Sequence, residues 1–453
     1  MNPKISWRSG LALSVLFVSV ALTACGYKTN TYSRAPTAIA LARYNAASGA
    51  PDTSLTGGSG GLVTTKVSQS DDDLAFAAVL QPDAKIIAVG TSFTTPHSIV
   101  VIRYSANGTL DLSFGSGGIT VTSLPSASAT AFAATLQADG KLLVAGRSCA
   151  SSGASGFLLL RYHTDISTGA PGTLDTGFGT GGIVTTGIPG GVSNGANAVA
   201  LSGTNILLAG HSKIGGRFVI ALAQYTTSGV LDSTFGSGGV VTTPIFSLDA
   251  DAAALAVQPL DGKIVVAGLA GSAVTSVWDV ALLRYNTNGA LDLPFGGTNT
   301  GMAITDIGSS SNYANAVALQ ADGKIVVAGN AFANPFTGVS DIAVLRYNAD
   351  GTLDTTGFGS PNGYVTTNVG AFDNGFAVAV QPADGKIVVA GNADAGAGDR
   401  LALLRYMGNG SLDPGFGTGG IVTRAASSPS IIAGGFGVAL QPLDGAIVVV
   451  GYD

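Results

Sequence analysis

One phrase, Ala-Asp-Gly-Lys-Ile-Val-Val-Ala-Gly-Asn at 321–330, returns almost unchanged at 383–392 and again, with Leu at both ends, at 260–269. It constrains this chain more than any other feature. A tyrosine that closes a neighbouring apolar run keeps the same period: Tyr44, Tyr104, Tyr162, Tyr225, Tyr285, Tyr347 and Tyr406, spaced by 60, 58, 63, 60, 62 and 59 residues. A marker glutamine tracks it at Gln81, Gln137, Gln258, Gln320, Gln381 and Gln441, with Leu-Ser-Gly-Thr-Asn at 201–205 as a degenerate copy. A fixed period near 60 overrides any division by length, because each repeat is one supersecondary unit that must bury its faces against its neighbours.

Each unit reads as four short strands. In the fifth these are 316–320, 324–329, 342–347 and 364–368. The Asp-Gly pair between the first two supplies the positive φ of a tight hairpin. Runs apolar at nearly every position demand burial on both faces, as in sheets packed face to face. An open solenoid needs polar caps, whereas a ring removes its edges by closing. The first strands read from the sequence, at 39–44 and near 61–65, are a third and a fourth; the last, at 437–441 and 446–451, are a first and a second. The two halves make one unit. The expected fold is all-β: a seven-bladed β-propeller over residues 38–453, four antiparallel strands per blade, with the N-terminal strands completing the last blade.

A hydrophobic content of 46% with only 11% charged residues argues against disorder, and a formal net charge of −6 gives no reason to expect a nucleic-acid partner. Residues 1–24 have a basic start at Lys4 and Arg8 and an apolar run from Leu11 to Leu22 that is too short to span a bilayer. The ending Leu22-Thr23-Ala24-Cys25 resembles a bacterial lipobox. That resemblance implies cleavage before Cys25, lipidation of its thiol, a polar linker over 25–37 and, with Gly26 next, an address at the outer membrane or cell surface. Lipidation of Cys25 would leave Cys149 unpaired.

The repeated pattern itself resembles the delta-60 repeat family of bacterial secreted proteins, over nearly all of 38–453. The family implies a propeller and no shared catalytic activity. The third unit departs most, with Gln224 in place of the arginine that precedes the tyrosine elsewhere.

No residue pattern announces chemistry. His97, His163 and His211 fall in different units without metal-ligand spacing, and are expected as solvated loop residues. Phe-Gly-Thr-Gly-Gly at 178–182 follows a turn and enters a strand, unlike a phosphate loop. Asn-Ala-Asp-Gly-Thr-Leu-Asp at 348–354 offers oxygens at alternate positions, but its sister loops carry fewer carboxylates, so an Asx turn is expected and no metal. Arg43, Arg103, Arg161, Arg284, Arg346 and Arg405 each have an aspartate downstream, which points to a structural ion pair within each blade.

The connections between second and third strands, and between blades, vary; they must emerge on one face, and variable loops on a rigid frame are where binding sits. At that face the candidates are Asp73, Asn312 and Asp373, each eight residues before a marker glutamine, with Trp278, Tyr313 and Phe332. The expected function is a non-enzymatic, monomeric, lipid-anchored binding scaffold without cofactor, for an unidentified protein or glycan. The alternatives are a polysaccharide-acting enzyme with carboxylates at the channel mouth and a purely structural surface protein.

Overall fold

The structure, a computed structural model, describes residues 36–272, 277–308, 310–332, 339–394, 399–425 and 433–453. The leader and Cys25 lie outside the described residues. Twenty-eight strands form seven four-stranded antiparallel sheets arranged as the blades of a ring. Blades 1 to 6 run in chain order over 73–122, 127–186, 191–243, 249–305, 312–367 and 373–425, each from its innermost to its outermost strand. Blade 7 takes its two inner strands, Gly434–Leu440 and Ile447–Tyr452, from one end of the chain, and its two outer strands, Ile39–Tyr44 and Leu62–Thr65, from the other. The clasp is an antiparallel ladder in which Ile39 faces Tyr452 and Tyr44 faces Ile447.

The core is divided among the seven joints. Val89 and Val101 of blade 1 pack with Val144 and Leu158 of blade 2, and Leu41 and Val450 of blade 7 pack with Ile86 and Val100 of blade 1. Second and third strands are therefore buried on both faces, as their unbroken apolar runs demand.

The recurring phrase is explained by two glycines. Gly323 turns the first hairpin at φ +85°, a conformation that a side chain disfavours. Gly329 ends the Val-Val-Ala-Gly run opposite a β-bulge between Ala314 and Ala316 of the innermost strand. A Cβ there would lie 1.7 Å from the Tyr313 carbonyl oxygen. The same approach, between 1.7 and 2.0 Å, recurs at Gly90, Gly146, Gly210, Gly268, Gly391 and Gly451. Every inner strand is bulged, and each bulge requires a bare backbone beside it.

The Arg-Tyr pair joins blades. In blade 4 the Tyr285 hydroxyl reaches back to Thr243 Oγ1 of blade 3 at 2.8 Å. Arg284 reaches forward, donating from Nη1 to the Ala349 carbonyl of blade 5 at 2.5 Å. Its Nε stands 2.6 Å from Asp292, which Lys263 also meets at 3.0 Å, and its guanidinium lies 4.4 Å from the Phe295 ring. The same latch recurs from Arg43 to Ala106, Arg103 to Thr164, Arg161 to Thr227, Arg346 to Gly408 and Arg405 to Ala46. In blade 3, Gln224 replaces the arginine and Asn205 stands in the lysine's place, donating to Asp232 at 2.8 Å. That joint keeps its backbone bond, from Gly236 N–H to the Asn288 carbonyl at 2.9 Å.

Candidate functional site

Antiparallel order fixes two faces of the ring. The first-to-second and third-to-fourth connections lie on one, here the constant face; the second-to-third and interblade connections lie on the other, the variable face. The aspartates divide between them. On the constant face, burial alone would raise the Asp111 carboxyl, but bonds from Ser113, Lys85 and Arg103 outweigh it and hold the group at about 2. Asp175, Asp292, Asp354 and Asp413 are likewise held below the usual carboxylate range, their lysine and arginine partners overcoming burial. On the variable face the balance reverses. Burial pushes Asp373 up to about 6; Asp341 and Asp394 add to the rise, and bonds from the Val369 and Gly370 N–H groups oppose it. Asp279 is raised by burial and then by Asp306, and Asp73 by burial against weaker hydrogen bonds.

Asp73, Asn312 and Asp373 head the innermost strands of blades 1, 5 and 6 and are 0% exposed. Each ties down the loop that enters its blade. Asp73 Oδ2 accepts the Val67 and Ser68 N–H groups at 2.8 and 2.9 Å. Asp373 Oδ2 accepts those of Val369 and Gly370 at 2.5 and 2.9 Å. Asn312 Nδ2 donates to the Ser310 carbonyl at 2.9 Å and meets Asp306 Oδ1 at 3.3 Å. In all three the second oxygen, Oδ1, is buried with no hydrogen-bond partner among the described residues. No printed bond joins any two of the three, and Asp73 lies two blades beyond Asp373. Trp278, 7% exposed, sits in a third strand with its backbone 2.7 Å from where a Gly271 Cβ would be. Tyr313 and Phe332 pair edge to face at 5.4 Å within blade 5, Phe332 being 8% exposed. These aromatics pack inside the blades; none is displayed on a loop.

The sequence reading missed an aromatic lining. The bulge residue of each inner strand is Phe76, Phe132, Asn197, Ala253, Asn315, Phe376 and Phe436 from blade 1 to blade 7. The four phenylalanines fall on consecutive blades 6, 7, 1 and 2. Their rings touch in order, Phe376 to Phe436 at 4.8 Å, Phe436 to Phe76 at 5.2 Å and Phe76 to Phe132 at 5.6 Å. Leu74, Tyr452 and Phe93, the last on a variable-face loop, extend this cluster toward that face. On the opposite arc Asn197 and Asn315 bond across to the next blade, at the Ala252 and Gly375 carbonyls. A signal existed: each of these phenylalanines stands five residues before a marker glutamine.

Three expectations are corrected. His211 is 1% exposed, its Nδ1 3.2 Å from Asp251 of the next blade, because its strand position faces a joint and not solvent. His163 is also largely buried, with Nε2 3.8 Å from Asp175. Cys149 is disulfide-bonded, so it is not an unpaired thiol. The 348–354 loop is an Asx turn, with Asp350 Oδ1 accepting the Thr352 N–H at 2.9 Å and its hydroxyl at 2.7 Å. Among the described residues no three metal-binding side chains converge, and no helix is long and apolar enough to cross a membrane.

Comparison with known proteins follows the blades. Six segments, 81–114, 137–178, 205–235, 260–295, 320–356 and 383–416, match a family described as Domain of unknown function (DUF5122) beta-propeller. No curated protein matches. Among solved structures, Sqt1 from Chaetomium thermophilum is 14% identical, covering 84% of this chain and 94% of its own, with a TM-score of 0.41. The same protein bound to the N-terminus of the ribosomal protein L10 gives 11% identity, the same coverage and 0.43. A glucose dehydrogenase gives 11% identity, 70% and 91% coverage and 0.39. These likenesses concern the fold alone. The chain is a seven-bladed β-propeller repeat protein, and blades 1 to 6 each carry a segment that matches the DUF5122 propeller family.

Proposed function

We propose that the chain is a bacterial envelope lipoprotein, anchored through Cys25 at the outer membrane or cell surface, whose propeller is a non-catalytic binding scaffold working through its variable face. One observation carries the binding reading: the two faces treat their charges differently. The constant face cancels its carboxylates against lysine and arginine in blade after blade. The variable face keeps carboxylates whose ionisation the protein opposes. A group held in an unfavourable state without local compensation is a mark of a functional surface. The acid–base alternative needs two carboxylates within reach of a sugar, and the burial of both Asp73 and Asp373 supports the non-catalytic reading.

Two measurements test the proposal. The chain has two cysteines, so a thioether at Cys25 and an intrachain disulfide at Cys149 exclude one another. The mass of the peptide carrying Cys25 should show diacylglycerol, and Cys25→Ser should leave the protein unprocessed or release it from membranes. Normal processing with detergent-dependent fractionation of that variant would refute the anchor. For the face, loop substitutions there should weaken capture of a partner at unchanged melting temperature; equal capture would refute the binding reading.

A further inference from the structure

The variable-face ends of blades 4, 5 and 6 carry Asp279, Asp306, Asp341, Asp373, Asp394 and Asp399 against one cation, Arg400. The acceptor surplus is also visible atom by atom. Asp279 Oδ1, Asn312 Oδ1 and Asp373 Oδ1 are buried there with no hydrogen-bond partner among the described residues, and Asn312 and Asp373 are fully buried. A buried oxygen left without a donor is costly, and three in adjacent blades mark a surface that lacks donors. The aromatic arc begins in the same sector, at Phe376 of blade 6, and continues through Phe436 and Phe76.

From this juxtaposition we infer that the variable face docks a cationic polypeptide segment, its lysine and arginine side chains meeting the carboxylates of blades 4 to 6 and an apolar side chain seating on the neighbouring phenylalanine arc. The inference rests on the reading of that face as the working surface and names the chemistry of its partner. The sign of the charge excludes nucleic acid. A single divalent ion fits poorly, because no three metal-binding side chains converge among the described residues. Carboxylates spread over three blades match a chain of positive charges, which supplies both the donors and the countercharge. Pairing such charges across an interface mainly sets encounter rate and specificity, and it is sensitive to salt.

The test uses the full chain and three short labelled peptides of equal length, each with one phenylalanine: one rich in lysine and arginine, one with glutamate at those positions and one with serine. Asp306→Asn, Asp341→Asn and Asp394→Asn are combined in one variant. Asp139→Asn, Asp322→Asn and Asp384→Asn, exposed on constant-face turns, make the same charge change elsewhere. The basic peptide should bind the wild type, lose affinity with added salt and lose about tenfold in the first variant, as expected of three partly exposed charge contacts. The second variant should bind like the wild type, with melting curves confirming that both are folded. Equal losses in the two variants, or equal binding of the basic and serine peptides, would overturn the cationic assignment. Binding of the serine or glutamate peptide alone, weakened by variable-face substitutions, would reject the basic partner and leave the docking face standing. No binding by any of the three would count against both.

Discussion

Arg405→Ala tests the latch where it matters most, at the joint that leads into the clasped blade. Arg405 is buried, and its Nε and Nη2 each lie 2.8 Å from Asp413 Oδ2. It donates to the Ala46 carbonyl and, at 2.7 Å, to that of Ala47, and stacks 4.4 Å from the Phe416 ring. Removing one member of a buried ion pair costs about 3–5 kcal/mol. Lys386 stays 3.0 Å from Asp413 and the Gly415 N–H 3.0 Å from it, so the lower end, about 3 kcal/mol, applies here. The Ala46 and Ala47 carbonyls sit in a turn that water can reach, so their lost bonds add about 1 kcal/mol together. The expected loss is about 4 kcal/mol, read as a lower urea midpoint at unchanged slope. Arg405→Lys keeps the charge but not the fork and should recover about half. Gln224→Ala, at the joint without a guanidinium, should cost about 1 kcal/mol. A loss below about 1 kcal/mol for Arg405→Ala, or equal losses at Arg405 and Gln224, would refute the latch as the main tie between blades.

Gly329→Ala puts a Cβ into the Tyr313 carbonyl and should cost at least about 3 kcal/mol in equilibrium unfolding; a neutral result would mean that the bulge is dispensable. Asp373 has its carboxyl raised to about 6, so the folded state binds the extra proton between the ordinary carboxylate value and 6, and stability falls as pH rises through that window. Asp373→Asn should therefore be more stable than wild type by about 1–2 kcal/mol above pH 6, with the advantage gone below pH 4; a pH-independent difference would refute it. The constant-face aspartates have the opposite sign: their stabilisation is present above the unfolded value and is lost as pH falls toward the value of about 2 seen at Asp111. A melting-temperature series in acid should show that loss. Deleting 38–66 strips blade 7 of its two outer strands and should bring aggregation or a much lower melting temperature; an unchanged melting curve would mean that the ends do not pair.

Period, strand count, ring closure and the Arg–Asp pairs were legible because each repeats, and repetition exposes what every blade needs. The features particular to single blades were harder to read. The glycine of Val-Val-Ala-Gly passes for part of a turn signal until the bulge beside it is seen, although a glycine inside an unbroken apolar strand is itself a bulge signal. His211 looks like a loop residue because sequence does not say which strand positions face a neighbouring blade. The same ambiguity hid the packing of Trp278 and Phe332. Asp73, Asn312 and Asp373 were found by their shared offset from the glutamine, but the offset carries position without accessibility, and their burial follows from the loops that fold over them.

The clasp has a consequence for the order of folding. Blades 1 to 6 are each continuous in sequence and can form from local hairpins as the chain is delivered. Blade 7 cannot, since Ile39 must wait for Tyr452. Contacts of such separation form late, after the loop entropy they close has been spent. Until then the two outer strands at one end and the two inner strands at the other each expose a raw edge, the hazard that ring closure removes. A chain cut short before residue 447 would keep six blades and never bury those edges. For this protein, delivery of its last few residues is the step that turns a sticky crescent into an inert ring.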